Sequence, residues 1–223
     1  MVNLDEKDFA LFDREQFTFK QLKETYSEAE LSQIKSEFKE VWDKWKFLQQ
    51  LIYQEIDTNY FAKPKVESWT NGWNLRSHYW SAFRGKLRQN ENACIGMLLN
   101  KKQIQVYLMF QHYKSDQRQG TKEQYNSLLA KLPTWSASID VTDYYIWHQE
   151  EHELTDHLSL KEYLENEHIQ QTFQDKVATQ TFQLGKLFFR ADMANVEALL
   201  VQSFCELDKL YRLLAANEQD LKE

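Results

Sequence analysis

Two groups of side chains in this chain have types and spacings that suit chemistry. The first is His148-Gln-Glu-Glu151-His152, which matches the inverted zincin pattern H-x-x-E-H. In that pattern two imidazoles four residues apart bind zinc from one helix face and the glutamate acts as base. His157 adds a further ligand candidate and Asp156 a further carboxylate. The local sequence disagrees with the motif. Asp143-Tyr-Tyr-Ile-Trp-His148 is β-branched and aromatic and reads as a strand, so His148 would close a strand. On extended backbone, histidines four apart stand ~13 Å from one another and cannot share an ion. The alternative is a solvated acidic loop from Gln149 to His157.

The second group is aromatic and basic: Trp69, Trp73, Arg76, His78, Trp80, Arg84, Lys86 and Arg88, followed by Tyr107, His112 and Lys114. On a strand over residues 78–84, alternation projects His78, Trp80 and Arg84 to one face. A guanidinium beside an indole suits an anionic or planar ligand, one part pairing with the charge and the other giving a stacking surface. The same types can bind single-stranded nucleic acid. Weighed against both is a tryptophan-rich sheet face covered by a helix, with Arg and Lys stems lying along its rim. A nucleophile built from Cys94 and His112 needs the two in hydrogen-bond reach, and nothing in the spacing requires that. There is no G-x-G-x-x-G, no phosphate-binding P-loop and no G-x-S-x-G. No cofactor is implied.

The elements that must position these groups are legible from periodicity. Residues 93–99 are an apolar run, and 103–110 alternate, with Ile104, Val106, Leu108 and Phe110 on one face and Gln105, Tyr107, Met109 and Gln111 on the other. Asn100-Lys101-Lys102 joins them as a hairpin without the favoured Asn-Gly. Gly72 and Gly85 bracket the strand at 78–84. Residues 1–26 carry phenylalanines on a short helix and turn. Ser27 and Glu30 form a capping box, and Leu31, Ile34, Phe38, Val41, Trp45, Leu48, Ile52 and Ile56 follow at helical spacing, predicting a helix over 27–56. That helix covers its own sheet or serves as a homodimer seam. A helix over 121–131 is stopped by Pro133. One or two helices over 158–176 start at a capping box, Ser159 and Glu162. A last strand over 179–190 has Gly185 as a candidate bulge. A final helix is capped by Asp192, with Val196, Leu200, Ser203, Leu207, Leu210 and Leu214 at helical spacing.

The length of 223 residues fits one α+β domain, a mostly antiparallel sheet with a central hairpin, packed by long N-terminal and C-terminal helices. A net charge of −7 argues against a general nucleic-acid or anionic-membrane binder. No run approaches the ~20 apolar residues of a membrane span, and the N-terminus lacks a signal pattern. Two cysteines far apart read as reduced thiols of a cytoplasmic protein.

The layout resembles a group of small uncharacterised bacterial proteins. The likeness rests on Asp8-Phe9 and Phe17, on the hairpin Ala-Cys-Ile-Gly-Met with Gln-Val-Tyr-Leu, and on Phe182-Gln-Leu-Gly-Lys-Leu-Phe followed by Glu206-Leu-Asp-Lys-Leu-Tyr211. Some members carry the label glucose-6-phosphate 1-dehydrogenase, an activity that needs a dinucleotide cradle this sequence lacks. The expectation is a binding module whose Trp73, Arg76, His78, Trp80, Arg84, Tyr107 and His112 meet an anionic or planar small molecule or a protein segment. Two other readings stand beside it. One is a hydrolase, using a metal at His148, His152 and His157 or taking a phosphorylated substrate near Arg76 and Arg84. The other is a homodimer joined through the long N-terminal helix.

Overall fold

The computed structural model describes residues 2–149 and 157–219, and side chains through residue 214. Seven strands form one sheet in the order β1-β4-β5-β6-β9-β7-β8, every neighbouring pair antiparallel. These are β1 (Lys65–Val66), β4 (Tyr79–Phe83), β5 (Ala93–Leu99), β6 (Gln103–Phe110), β7 (Tyr144–His148), β8 (Leu158–Ser159) and β9 (Phe182–Phe189). A separate small hairpin, β2 (Thr70–Asn71) and β3 (Asn74–Leu75), turns at Gly72, whose φ of +58° is left-handed. The helices are α1 (Glu6–Ala10), α2 (Phe19–Thr25), α3 (Glu28–Glu55), α4 (Lys122–Asn126), α5 (Leu132–Ser136), α6 (Leu160–Glu165), α7 (Glu167–Val177) and α8 (Val196–Gln219). This is the α+β arrangement expected.

The α3 helix begins where the capping box places it. Ser27 accepts the Glu30 amide, and the Glu30 carboxylate accepts the Ser27 amide at 2.8 Å. Its apolar stripe, Leu31, Ile34, Phe38, Val41, Trp45, Leu48 and Ile52, is buried. That stripe lies on its own sheet: the Tyr79 hydroxyl of β4 donates to the Phe38 carbonyl at 2.7 Å, and the Ser81 hydroxyl donates to the buried Gln49 side chain at 2.7 Å. The α8 helix packs beside it, with Phe204 edge-on to both Phe61 and Phe83. The main core thus forms on the sheet face that carries Tyr79, Phe83, Ile95, Met97, Ile104, Val106, Leu108 and Ile146.

The β5–β6 hairpin forms as expected, and three local expectations change. The β5–β6 turn needs no Asn-Gly, because the Asn100 side chain accepts the amides of Lys102 and Gln103 at 2.8 and 3.0 Å and closes the turn itself. Pro133 does not end a helix. It sits in the first turn of α5, where a missing N–H costs no hydrogen bond. Asp192 does not cap α8 and instead accepts the Glu6 amide at 3.0 Å, tying α1 to the end of the sheet. Gly185 is not a bulge, since the β6–β9 register runs through it without a skipped residue.

Candidate functional site

The second face of the sheet is built by the alternate residues. In the central row Ala82, Gly96, Tyr107, Gly185 and Tyr145 stand side by side on β4, β5, β6, β9 and β7. On one side of it runs the row Trp80, Leu98, Gln105 and Leu187. On the other, Cys94 pairs with Met109 and Gln183 with Trp147. Eight of these residues form a second apolar cluster, smaller than the main core and just as dry.

Glycine shapes the middle of this face. Tyr107 has Gly96 on one side and Gly185 on the other, so its ring can lie flat toward β5. A side-chain carbon at Gly96 would stand 3.1 Å from that ring. Lying there, the Tyr107 hydroxyl accepts the Trp80 indole N–H at 3.0 Å. The Trp147 ring follows at 5.9 Å from Tyr107, and His157 stacks on Trp147 at 4.4 Å with only 10° between the planes. The result is a floor of rings with small side chains, Ala82 and Cys94, between them.

Set in this floor are polar groups that make no hydrogen bond to a described residue. Gln105 is fully buried, and neither the oxygen nor the nitrogen of its amide has a partner among the described residues. The Gln183 amide oxygen and the Trp147 indole N–H are likewise buried and unpartnered. A buried polar group left unbonded costs about 1–3 kcal/mol, and natural structures seldom keep one without a use. Arg84 continues the same side beyond Trp80 and Ala82. Its Nε donates to the Glu91 carbonyl at 2.9 Å and its Nη2 to the Gln111 side chain at 2.7 Å.

Of the residues expected to meet, the structure brings Trp80, Arg84 and Tyr107 onto this face. The others lie elsewhere. Trp73, 85% exposed, is at the tip of the small hairpin. Arg76 pairs with Glu67 at 2.6 Å and donates to the Ser68 carbonyl at 2.8 Å. His78 is half-buried next to Arg76, before β4 starts. His112 sits beyond the end of β6, at 2.8 Å from the Thr181 hydroxyl. Gln105, Gln183 and Trp147 were not singled out from the sequence. The only signal for Gln105 was its place on the mixed face of β6.

His78 carries a consequence for stability. Burial first, and then the Arg76 charge, hold its imidazole below the ordinary 6.5. The folded form therefore binds its proton less readily than the unfolded chain does. The resulting stability is present above about pH 6.5 and is lost as pH falls below it. Urea midpoints of the wild-type protein should drop from pH 7 to pH 5 more steeply than those of His78→Gln. Parallel curves would assign the acid sensitivity to other groups.

His148 and His157, two of the three histidines offered for a metal, do not converge. His148 stacks on Phe173 of α7 at 4.4 Å and lines a hollow of about 330 Å³ with Ile146, Leu158, His168 and Lys176. His157 lies on Trp147, the preceding residue of the same strand, and so on the opposite face. His152, with Glu151 and Asp156, lies outside the described residues. Among the described residues no group of three His, Cys, Asp or Glu is placed to hold a metal ion. Cys94 is fully buried, and burial pushes its thiol up, away from the thiolate a nucleophile needs.

The molecule is thus an α+β protein with one thick core, a second, aromatic sheet face, and no described helix long and apolar enough to cross a membrane. A protein-family model matches residues 4–214, and the chain belongs to that family. It is similar to an uncharacterized protein of Haemophilus influenzae, 30% identical over 216 residues, an alignment that spans 95% of this chain and 98% of the relative.

Proposed function

We propose that the protein is a binding module that takes a planar small molecule on the second face of its sheet. The observation that carries this reading is Gln105, a fully buried amide with both of its polar atoms unbonded, set beside the Trp80–Tyr107 pair. An amide presents a donor and an acceptor side by side, which matches the polar edge of a heterocycle. The neighbouring rings, closed over in this structure with Trp80 7% and Tyr107 2% exposed, would stack on a ligand that opened the face. His157 lying flat on Trp147 is the contact such a ligand would use, and it supports the reading that this face accepts a ring. Gln183 and Trp147 add an acceptor and a donor within the same floor.

The test uses purified protein, tryptophan fluorescence and thermal unfolding with a panel of nucleobases, nucleosides, nucleotides and sugar phosphates. A ligand at a hundred times its Kd adds about 2.7 kcal/mol of stability. The variant Gln105→Met keeps the shape and removes both unbonded atoms. Without ligand it should be as stable as the wild type or more so, by roughly 1 kcal/mol. Its response to the ligand should vanish. A ligand response unchanged in Gln105→Met, or a flat response across the whole panel, would dismiss this face as a site.

A further inference from the structure

One guanidinium near the start of the chain has rings beside it but no acceptor. Arg14 follows α1, and its guanidinium carbon lies over the rings of Tyr26 and Phe38 at 5.9 and 5.7 Å. Ring faces attract a cation without taking up its N–H donors as an oxygen does. The Arg14 Nη1 is buried and has no hydrogen-bond partner, and among the described residues Arg14 forms no ion pair. The carboxylate that precedes it in sequence, Asp13, is taken by Arg190 at 2.7 Å. A desolvated charge left without an acceptor opposes folding until an anion joins it. Arg14 lines a hollow of about 440 Å³ between α1 and α3, open to solvent and large enough for a small molecule. Phe12, two residues earlier, packs edge-on against Tyr79 in the main core, so the hollow lies across the sheet from Trp80 and Tyr107.

The other walls of the hollow limit which anion fits. Glu37, Glu40, Val41 and Lys44 reach it from α3, where three- and four-residue spacing puts them on one side of the helix. Lys44 is already neutralised, its ammonium donating to both oxygens of the buried Asp8 at 2.7 Å. The Asp5 carboxylate is engaged in capping α1. Glu37 and Glu40 are exposed and form no ion pair among the described residues. The lining carries four carboxylates against three cations, so a phosphate dianion would be repelled there. A single carboxylate suits the planar fork of Arg14, provided that a positive group travels with it to meet Glu37 and Glu40. Leu11 and Val41 add an apolar wall for a small body between the two charges.

We propose that the hollow between α1 and α3 binds a free amino acid, its carboxylate on Arg14 and its ammonium on Glu37 and Glu40. The site is independent of the sheet face discussed above, and Gln105→Met should leave it unchanged. Thermal unfolding of the full chain with each of the common amino acids finds the one that stabilises most. Isothermal titration then compares that amino acid with its N-acetyl derivative, which lacks the positive charge, and with its amide, which lacks the negative one. The amino acid should bind the wild type, and both derivatives should bind about ten- to a hundredfold more weakly. Arg14→Gln should weaken the amino acid by a similar factor of about ten to a hundred. Glu37 and Glu40 are exposed on a helix surface, so the double variant Glu37→Gln with Glu40→Gln folds even where Arg14→Gln does not. It should weaken the amino acid and leave the N-acetyl derivative unaffected. No response to any amino acid, or equal binding by the wild type and the double variant, overturns the proposal. An N-acetyl derivative or amide that binds as tightly as the amino acid overturns the pairing of the two charges.

Discussion

Gly185→Ala is expected to cost about 3 kcal/mol or more, enough to leave a large part of the protein unfolded. A side-chain carbon at this position would stand 2.3 Å from the Val106 carbonyl oxygen and 2.6 Å from the Tyr107 Cα. Both are backbone atoms of β6, the strand at the centre of the sheet, and neither can turn aside as a side chain can. The strands must instead separate along a register that joins Tyr107, Gly185 and Tyr145. Overpacking of this kind costs about 1–3 kcal/mol where side chains absorb it, and more where backbone must move. Gly96→Ala provides the contrast. There the new carbon meets the Tyr107 ring at 3.1 Å and the Trp80 indole at 3.2 Å, two side chains that can shift by a few tenths of an ångström. Its cost should be nearer 1 kcal/mol. Guanidinium or urea midpoints decide between them. A Gly185→Ala protein that unfolds at the wild-type midpoint would mean that β6 and β9 are less closely held than described.

Glu91→Gln is expected to destabilise the protein by roughly 3–5 kcal/mol, the cost of leaving a buried charge without its partner. Arg88 is 8% exposed and lies over the Tyr211 ring at 4.2 Å. It donates to the Tyr60 hydroxyl at 3.3 Å and to the Tyr211 carbonyl at 3.1 Å, and among the described residues Glu91 is the carboxylate that neutralises it. The cluster joins the segment after β4 to the last part of α8, so its loss loosens a contact between distant parts of the chain. The double variant Arg88→Met with Glu91→Leu removes both charges and should lose less than Glu91→Gln alone, because no unpaired ion remains. Denaturation curves of the two variants measure this directly. A Glu91→Gln cost below about 1 kcal/mol would place the pair in water, where ion pairs are worth little.

Much of the scaffold was legible in the residues. The alternation over 103–110 and the apolar run over 93–99 gave the β5–β6 hairpin with its observed bounds. The box at Ser27 and the three-and-four spacing after it placed α3 to within a residue at each end. Such signals are local: a cap lies within four residues of the helix it starts, and a strand shows its pattern over about two or three alternations. The candidate site was only partly legible. Trp80, Arg84 and Tyr107 follow from strand parity once β4 is recognised. Trp73 and Arg76 do not join them, because the hairpin at 70–75 leaves the sheet and takes both away.

What the sequence alone determined, then, was the long elements, the cap of α3, and which side chains share a strand face. The tertiary structure decided that β9 enters between β6 and β7, which sets Gly185 beside Tyr107 and Trp147 beside Gln183. It also decided that the mixed face of β6, with Gln105 and Tyr107, is as dry as the apolar one. The reason is physical. Periodicity reports the environment of one element averaged along its length, whereas the contacts of Gln105 and Arg84 are made by segments that meet only when the whole sheet has closed.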